Sequence, residues 1–447
     1  MSLDSAERQF MENPLASARS LCKDNQIGRR QLRRLFSNIR QDVKRQCELD
    51  LWGPGGGFVI QVLGEILAHP ETLEAIYRGF PVHPWFVEFQ PGTECPCACD
   101  FCFNKGGSVQ GMSQRGRYQD RWKTKSLSGD DILAIIKTAV GHGCDTVHFS
   151  GGLEPFTSPV ILDVLRNLPY IPRVAIRTNG VTSNLNGMTL NTIVRRASEL
   201  RFSVHAATAE TYDIVQRPQP NGAFLGVVER IEMAIQCQRY SLEMGYPAAQ
   251  IGISFLPTPA NYHELEQAAD MWAERGVNFM NIANDVLEGD KRAPGLSAEQ
   301  EAQLEESCQR IIDRAASGLY GQMVVRPSRK NIRAQLKASP MKCYAPLLRA
   351  NIDPYGNRWT CCLKAQPSMN DERFLFGAAL SGLEKHKAFE PYCKDCCEYE
   401  YIANVVVEKF LDDRTFEIDF AEQPFRLASV THTAITPTAE GERAFHV

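Results

Sequence analysis

The sequence has no excess of positive charge, no long apolar run and no secretory-type start. Its 49 basic side chains are outnumbered by 53 acidic ones, a net charge of -4, which excludes a generally basic polyanion binder and makes nucleic acid an unexpected partner. No run of about 18 apolar residues occurs, so no membrane span is expected. The opening Met1-Ser2-Leu3-Asp4-Ser5 lacks a basic region followed by an apolar stretch, so no export signal is expected and the predicted location is cytoplasmic. No repeat of solenoid period is present. The 447 residues allow two or three domains with ample core.

What the chain does have is 15 cysteines. In a reducing compartment disulfides explain them poorly. Cys22, Cys47, Cys144, Cys237 and Cys308 are scattered and read as small buried hydrophobes. The others gather in two places. Cys95, Cys97, Cys99 and Cys102 crowd one loop; Cys343, Cys361, Cys362, Cys393, Cys396 and Cys397 fall in the C-terminal third. Two clusters predict two metal sites.

Residues 1–80 read as a helical extension, broken at Gly53-Pro54-Gly55-Gly56-Gly57, a flexible corner with no Walker lysine. From residue 84, short apolar strands at 85–89, 146–149, 174–177, 202–204, 250–256 and 278–282 alternate with helices such as 129–141, 191–200, 224–244 and 262–275. Six β/α units predict an α/β fold with a parallel sheet under helices, a partial (β/α)6 barrel over 81–290. A helical connector (291–340), a small C-terminal iron–sulfur domain (341–430) and a mobile tail (431–447) follow. Ligands are expected at the C-terminal strand ends.

The first cluster follows the first strand as Glu94-Cys95-Pro96-Cys97-Ala98-Cys99-Asp100-Phe101-Cys102. Cys95, Cys99 and Cys102 form CxxxCxxC, a frame that arises by chance in roughly 2% of chains of this cysteine content. Three thiolates hold three irons of a [4Fe-4S] cube and leave the fourth iron open, with Cys97 directed elsewhere. A closed zinc site using Cys97 as fourth ligand is the competing reading. Further along stand Ser150-Gly151-Gly152-Leu153-Glu154-Pro155, Arg177-Thr178-Asn179-Gly180, the stretch from Ser203 to Tyr212, and Asn261-Tyr262-His263-Glu264-Leu265, each after a strand.

With these segments in order, the chain resembles the radical S-adenosylmethionine superfamily over residues 84–285. The resemblance implies that Gly151, Gly152 and Glu154 meet the methionine end of S-adenosylmethionine, while Thr178, Asn179 and Ser203 line the adenosyl side. His205 stands where the family often has aspartate and is the candidate proton acceptor; a satisfied core histidine is the plainer alternative. The implied chemistry is reductive cleavage of S-adenosylmethionine to a 5′-deoxyadenosyl radical that abstracts hydrogen from a substrate carbon, the protein supplying orientation. A reducing partner such as flavodoxin or ferredoxin is implied.

In the second region Cys343 is followed by twelve residues, Gly356, four residues and Cys361, then Cys393-Lys394-Asp395-Cys396. The segments 350–354 and 357–361 alternate around Tyr355-Gly356, which predicts a hairpin. The pattern resembles the opening of a SPASM domain, and the absence of cysteine after Cys397 suits the shortened twitch form. That resemblance implies one auxiliary [4Fe-4S] cluster on Cys343, Cys361, Cys393 and Cys396, with Cys362 and Cys397 as alternates. A zinc ribbon shares the same four-cysteine chemistry.

An auxiliary cluster near the substrate can accept an electron from a substrate radical, so the expected reaction is oxidation of a small molecule such as a sugar or cyclitol. Peptide maturation by crosslinking or epimerisation is the alternative. A nucleotide or RNA modifier, with Arg29, Arg30, Arg33 and Arg34 meeting phosphates, is a third, although that run reads more simply as a solvated helix face. A metal scaffold without turnover would need no cofactor cradle.

Overall fold

The computed structural model describes residues 79–99, 101–102, 126–219, 221–282, 295–327, 342–362 and 375–379, with His69, Thr72, Ala75, Ile76, Ala403, Asn404 and Val407. The helical extension, the basic run at Arg29–Arg34, the mobile tail and Cys393, Cys396 and Cys397 fall outside these residues.

Seven parallel strands run in chain order: β1 (Phe86–Phe89), β2 (Thr146–Phe149), β3 (Arg173–Thr178), β4 (Glu199–Ser203), β5 (Gln250–Phe255), β6 (Phe279–Ile282) and β7 (Val324–Pro327). Six were expected; β7 was hidden because Val324-Val325 is too short to show a period. The expected hairpin forms from β8 (Arg349–Ile352) and β9 (Asn357–Trp359), which pair antiparallel. Strand β8 also pairs parallel with β1, and β10 (Leu375–Ala378) adds to β9, so the hairpin continues the barrel sheet. Its turn is held by Asp353, whose carboxylate accepts from the backbone N–H groups of Tyr355 and Asn357 and from Asn357 Nδ2 and Trp359 Nε1, each at 2.9 Å. Gly356, at φ 83°, supplies the left-handed step of that turn.

Helices α1 (Gly129–Gly141), α2 (Ile161–Arg166), α3 (Gly187–Arg196), α4 (Ala209–Val215), α5 (Phe224–Glu243), α6 (Leu265–Arg275) and α7 (Ala298–Ala316) alternate with the strands. Ser128 opens α1 with a reciprocal cap: its hydroxyl accepts from Asp131 N–H and Asp131 accepts from Ser128 N–H. Ile132, Ile135, Ile136 and Ala139 then bury one stripe at helical spacing, about 2 kcal/mol for each isoleucine. Asn186 and Thr189 cap α3 in the same way. Helix α3 therefore starts at 187 instead of 191 and ends at Arg196, which frees Leu200 for the middle of β4.

The two faces of the sheet differ. Val87, Phe89, Val147, Phe149, Val174, Ile176, Leu200, Phe202, Ile251, Ile253, Phe255, Met280 and Ile282 join the helices in one core. The opposite, inner face carries Glu88, His148, Arg177, Arg201, Ser254 and Asn281 from the alternate positions. Parallel strands covered on both sides read as unbroken apolar runs; these alternate because, among the described residues, the helices pack on one side.

Candidate functional site

The cysteine loop leaves β1 and is fastened at both ends. Glu154 N–H donates to the Glu94 carbonyl at 3.1 Å, and Ala98 N–H donates to the carbonyls of Gln216 and Arg217 at 3.1 Å. An isolated antiparallel bridge joins Cys97 to Pro218. Arg217 takes φ 45° beside it, a left-handed conformation uncommon outside glycine. Gly92 is required: a Cβ there would stand 2.1 Å from the Glu154 carbonyl oxygen.

Within the loop, Cys97 N–H donates to Cys95 Sγ at 3.4 Å. Hydrogen bonds with the Cys95 and Cys99 thiols, then burial, push the Cys97 thiol well up. The bridge to Pro218 fixes the Cys97 backbone at the centre of the loop. Cys102 N–H closes a turn onto the Cys99 carbonyl at 3.1 Å.

Beside the loop, Glu154 gathers the ends of β2 and β3. Its buried carboxylate accepts from Thr178 Oγ1 at 2.7 Å and Phe156 N–H at 3.1 Å through one oxygen, and from Asn179 N–H at 2.7 Å through the other. Burial pushes Glu154 up to about 7, against the pull of those three donors. Asn179 Nδ2 in turn donates to Cys95 Sγ at 3.5 Å. Glu154, Thr178, Asn179 and Cys95 are thus one connected group. Gly152, at φ 79°, lets this backbone pass Gln90, whose Oε1 would be 2.5 Å from a Cβ. Gly151 is exposed beside it.

His205 sits one strand further. Its Nδ1 accepts the Leu256 N–H at 2.9 Å, its own N–H donates to Gln216 Oε1 at 2.8 Å, and Asn261 Nδ2 donates to its carbonyl at 2.7 Å. Phe101 meets the ring edge-on at 4.8 Å between centroids. Burial pulls the imidazole down to about 3. A neutral ring with Nδ1 taken has only an Nε2–H donor left, so it holds no free lone pair for a substrate proton.

Sequence reading missed Gln216 and Glu264. Gln216 Nε2 donates to the Ser203 carbonyl at 3.0 Å, and the same residue's backbone and side chain reach Ala98 and His205. Glu264 accepts from Ala207 N–H, Thr208 Oγ1 and Thr211 Oγ1 at 2.6–2.7 Å. Gln216 follows the last residue of α4 and no pattern marks it; Glu264 sits in the Asn261-to-Leu265 segment, where nothing in the sequence points to Ala207, Thr208 and Thr211 as its partners.

In the second cysteine region, Cys343 and Cys361 are buried. Arg358 Nη2 donates to the Pro346 carbonyl at 2.6 Å, tying β9 to the turn after Cys343. Gln90 Nε2 donates to the Cys362 carbonyl at 3.3 Å, which brings the end of the hairpin against the strand that leads into the first cysteine loop.

The donor set fits a cluster with thiolate ligands. Three cysteines share one loop, and an amide donor reaches a sulfur, a bond of the kind that tunes such clusters. Among the described residues no group of three His, Cys, Asp or Glu side chains is arranged to hold a single metal ion. Among the described residues, no helix is long and apolar enough to cross a membrane.

Residues 89–247 match the family model described as the Radical SAM superfamily. A curated relative, dTDP-4-amino-4,6-dideoxy-D-glucose ammonia-lyase of Streptomyces venezuelae, is 24% identical over 309 residues, covering 66% of this chain and 58% of its own. Streptococcus suis SuiB bound to S-adenosylmethionine is similar at TM-score 0.48 and 15% identity, covering 67% of this chain and 64% of its own. The protein anSMEcpe with bound AdoMet is similar at 0.47 and 12%, covering 67% and 76%. The chain thus spans less than two thirds of the first two.

Proposed function

Residues 89–247 are a Radical SAM superfamily domain, and from that premise we propose that the protein abstracts hydrogen from a small-molecule substrate of the sugar or cyclitol kind. The observation that carries the site assignment is the Asn179–Cys95 contact, which couples the cysteine loop to the Glu154 cradle. In this reading Cys95, Cys99 and Cys102 hold a [4Fe-4S] cluster, and Gly151, Gly152, Glu154, Thr178, Asn179 and Ser203 hold S-adenosylmethionine. When bound and reduced by an external donor such as flavodoxin or ferredoxin, that pair supplies a 5′-deoxyadenosyl radical.

The chain's own residues then orient and exclude water. Glu154 fixes the Thr178-Asn179 turn, Gln216 fixes the end of β4 against the loop, and Phe101 and His205 pack the space behind it. His205 is a positioning residue in this scheme. Cys343, Cys361, Cys393 and Cys396 are proposed to hold an auxiliary cluster, which would make the outcome a two-electron oxidation. The curated relative favours a second outcome, because its name gives loss of ammonia from a nucleotide-linked amino sugar. A peptide substrate is the further alternative, since SuiB is titled as bound to the precursor peptide SuiA.

The test is anaerobic iron and sulfide counting with electron paramagnetic resonance, with and without S-adenosylmethionine. A spectrum that changes on adding S-adenosylmethionine, with 5′-deoxyadenosine formed under reduction, is expected. An unchanged spectrum and no 5′-deoxyadenosine would sink the proposal.

A further inference from the structure

The inner face of the sheet has the opposite sign to the chain. The protein is net negative, yet this face carries Arg173, Arg177, Arg201, Arg326 and Arg349, opposed by Glu88 and Glu199. Glu88 is engaged by the Ser150 hydroxyl, and Glu199 lies 3.8 Å from Arg201 Nε. Arg177 and Arg201 stand directly opposite each other in the β3–β4 register, an arrangement that costs stability because like charges face each other at strand spacing. Arg326, in register with Asn281 of β6, lays its guanidinium over the Phe279 ring at 4.7 Å, and Arg349 does the same to Phe86 at 4.2 Å. The stack leaves the edges of the Arg326 guanidinium for in-plane partners.

A second observation points to a ligand. Buried polar atoms without a hydrogen-bond partner collect on this face: His148 Nε2, Arg201 Nε, Asn281 Oδ1 and both amide atoms of Asn351. His148 is 8% exposed and Asn351 is fully buried. Native interiors satisfy such groups, and the sign of the surrounding charge says what is wanted. Arg173, Arg177, Arg201 and Arg349 all bear on His148 and lower its basicity, after burial. Arg177 and Arg326 are exposed on the same face, so a ligand can reach them.

We propose that this inner face binds the phosphate or diphosphate group of the substrate, held by Arg177, Arg201 and Arg326 with His148 at its edge, while the Asn281 Oδ1 acceptor is left for a hydroxyl of the same substrate. One carboxylate asks for one guanidinium fork; three guanidinium groups from separate strands suit the several oxygens of a phosphoryl group. Because Thr178 and Asn179 directly follow Arg177 on β3, an anchor here would place the rest of the substrate beside the cofactor cradle. The proposal rests on reading that cradle as the reactive end.

The test uses the full chain, prepared anaerobically, and calorimetric titration with inorganic pyrophosphate, inorganic phosphate and succinate. Pyrophosphate is expected to bind with a Kd below about 1 mM, tighter than succinate. Arg326→Gln and Arg177→Gln, both at exposed positions, should each weaken it by about tenfold. Arg326→Lys should recover less than half of that loss on a logarithmic scale, because an ammonium lacks the fork. Circular dichroism checks that each variant is folded. Absence of saturable pyrophosphate binding, equal or tighter succinate binding, or indifference to both glutamine variants would overturn the proposal. The wild-type protein separates the two readings. If it forms 5′-deoxyadenosine but does not bind pyrophosphate, this inference fails alone; if it binds pyrophosphate but forms none, the proposed reaction fails alone.

Discussion

Glu154→Gln should be less stable than the wild type at pH 4.5, by about 1–3 kcal/mol for one buried donor left unpaired, and should recover that deficit by pH 8. The carboxyl is 2% exposed, and its folded value of about 7 lies above the ordinary 4.5. Below pH 4.5 both folded and unfolded chains hold the proton, so its ionisation contributes nothing. Between 4.5 and 7 the unfolded chain releases a proton that the folded chain keeps, so stability falls as pH rises. Above 7 that loss is complete, at about 3 kcal/mol for a shift of this size. Glutamine cannot ionise and escapes the loss. Anaerobic urea unfolding, followed by tryptophan fluorescence at several pH values, should show the variant gaining about 3 kcal/mol on the wild type between pH 4.5 and pH 8. Parallel curves across that range would refute the reasoning, since a carboxyl at its ordinary value gives no such divergence. The variant should gain on the wild type as pH rises while losing function. A glutamine amide cannot accept from Thr178, Phe156 and Asn179 together, so one buried donor is left unpaired, at about 1–3 kcal/mol. 5′-Deoxyadenosine formation should drop roughly tenfold as the Asn179 turn loosens. The site would then be an instance of stability given up for activity.

Gly92→Ala drives a Cβ to within 2.1 Å of the Glu154 carbonyl oxygen and should cost about 1–3 kcal/mol; an unchanged urea midpoint would show that the loop is not clamped there. Replacing Cys95, Cys99 and Cys102 with alanine should abolish 5′-deoxyadenosine formation, whereas Cys97→Ala should retain most of it; the reverse pattern would move the ligand set to include Cys97. His205→Asn, which can still accept the Leu256 N–H, should keep turnover with an unshifted pH–rate profile; a lost limb in that profile would make His205 the proton acceptor instead. Iron counting should give about eight irons per chain, falling to about four in the triple variant; about four irons and one zinc in the intact protein would make the C-terminal cysteines a ribbon.

The barrel and its cradle were legible because their signals are local. A cysteine frame after a strand, a Gly-Gly-x-Glu-Pro corner and a Thr-Asn-Gly turn each announce themselves within eight residues. The α3 boundary was misplaced because Leu200 continues the apolar spacing of α3, and only the Asn186 cap shows where the helix begins. The contacts that fasten the loop were missed for a different reason. Spacing says which thiols can share a cluster, but the loop's backbone is held by a bridge from Cys97 to Pro218, 121 positions away in the sequence. Gln216 and Gln90 were invisible for the same cause: each has partners on a different strand end, and neither sits in a pattern.

Net charge gives no sign of the inner-face arginines. A net charge of -4 speaks against a basic surface, yet charge is averaged over a chain while recognition is local. Arg173, Arg177 and Arg201 look like ordinary polar positions of alternating strands, and Arg326 and Arg349 lie on strands that sequence reading did not assign to the barrel. Only the register brings them together, by placing β8 beside β1 and β7 beside β6. Once placed, they break the local rule that facing strand positions avoid like charge. Such conflicts concentrate where function overrides packing. The cradle carries the same mark, because Glu154 is a buried carboxyl whose ionisation costs the fold stability. Both features lie on the strand ends and the inner face, on the side of the sheet away from the core that the described helices form.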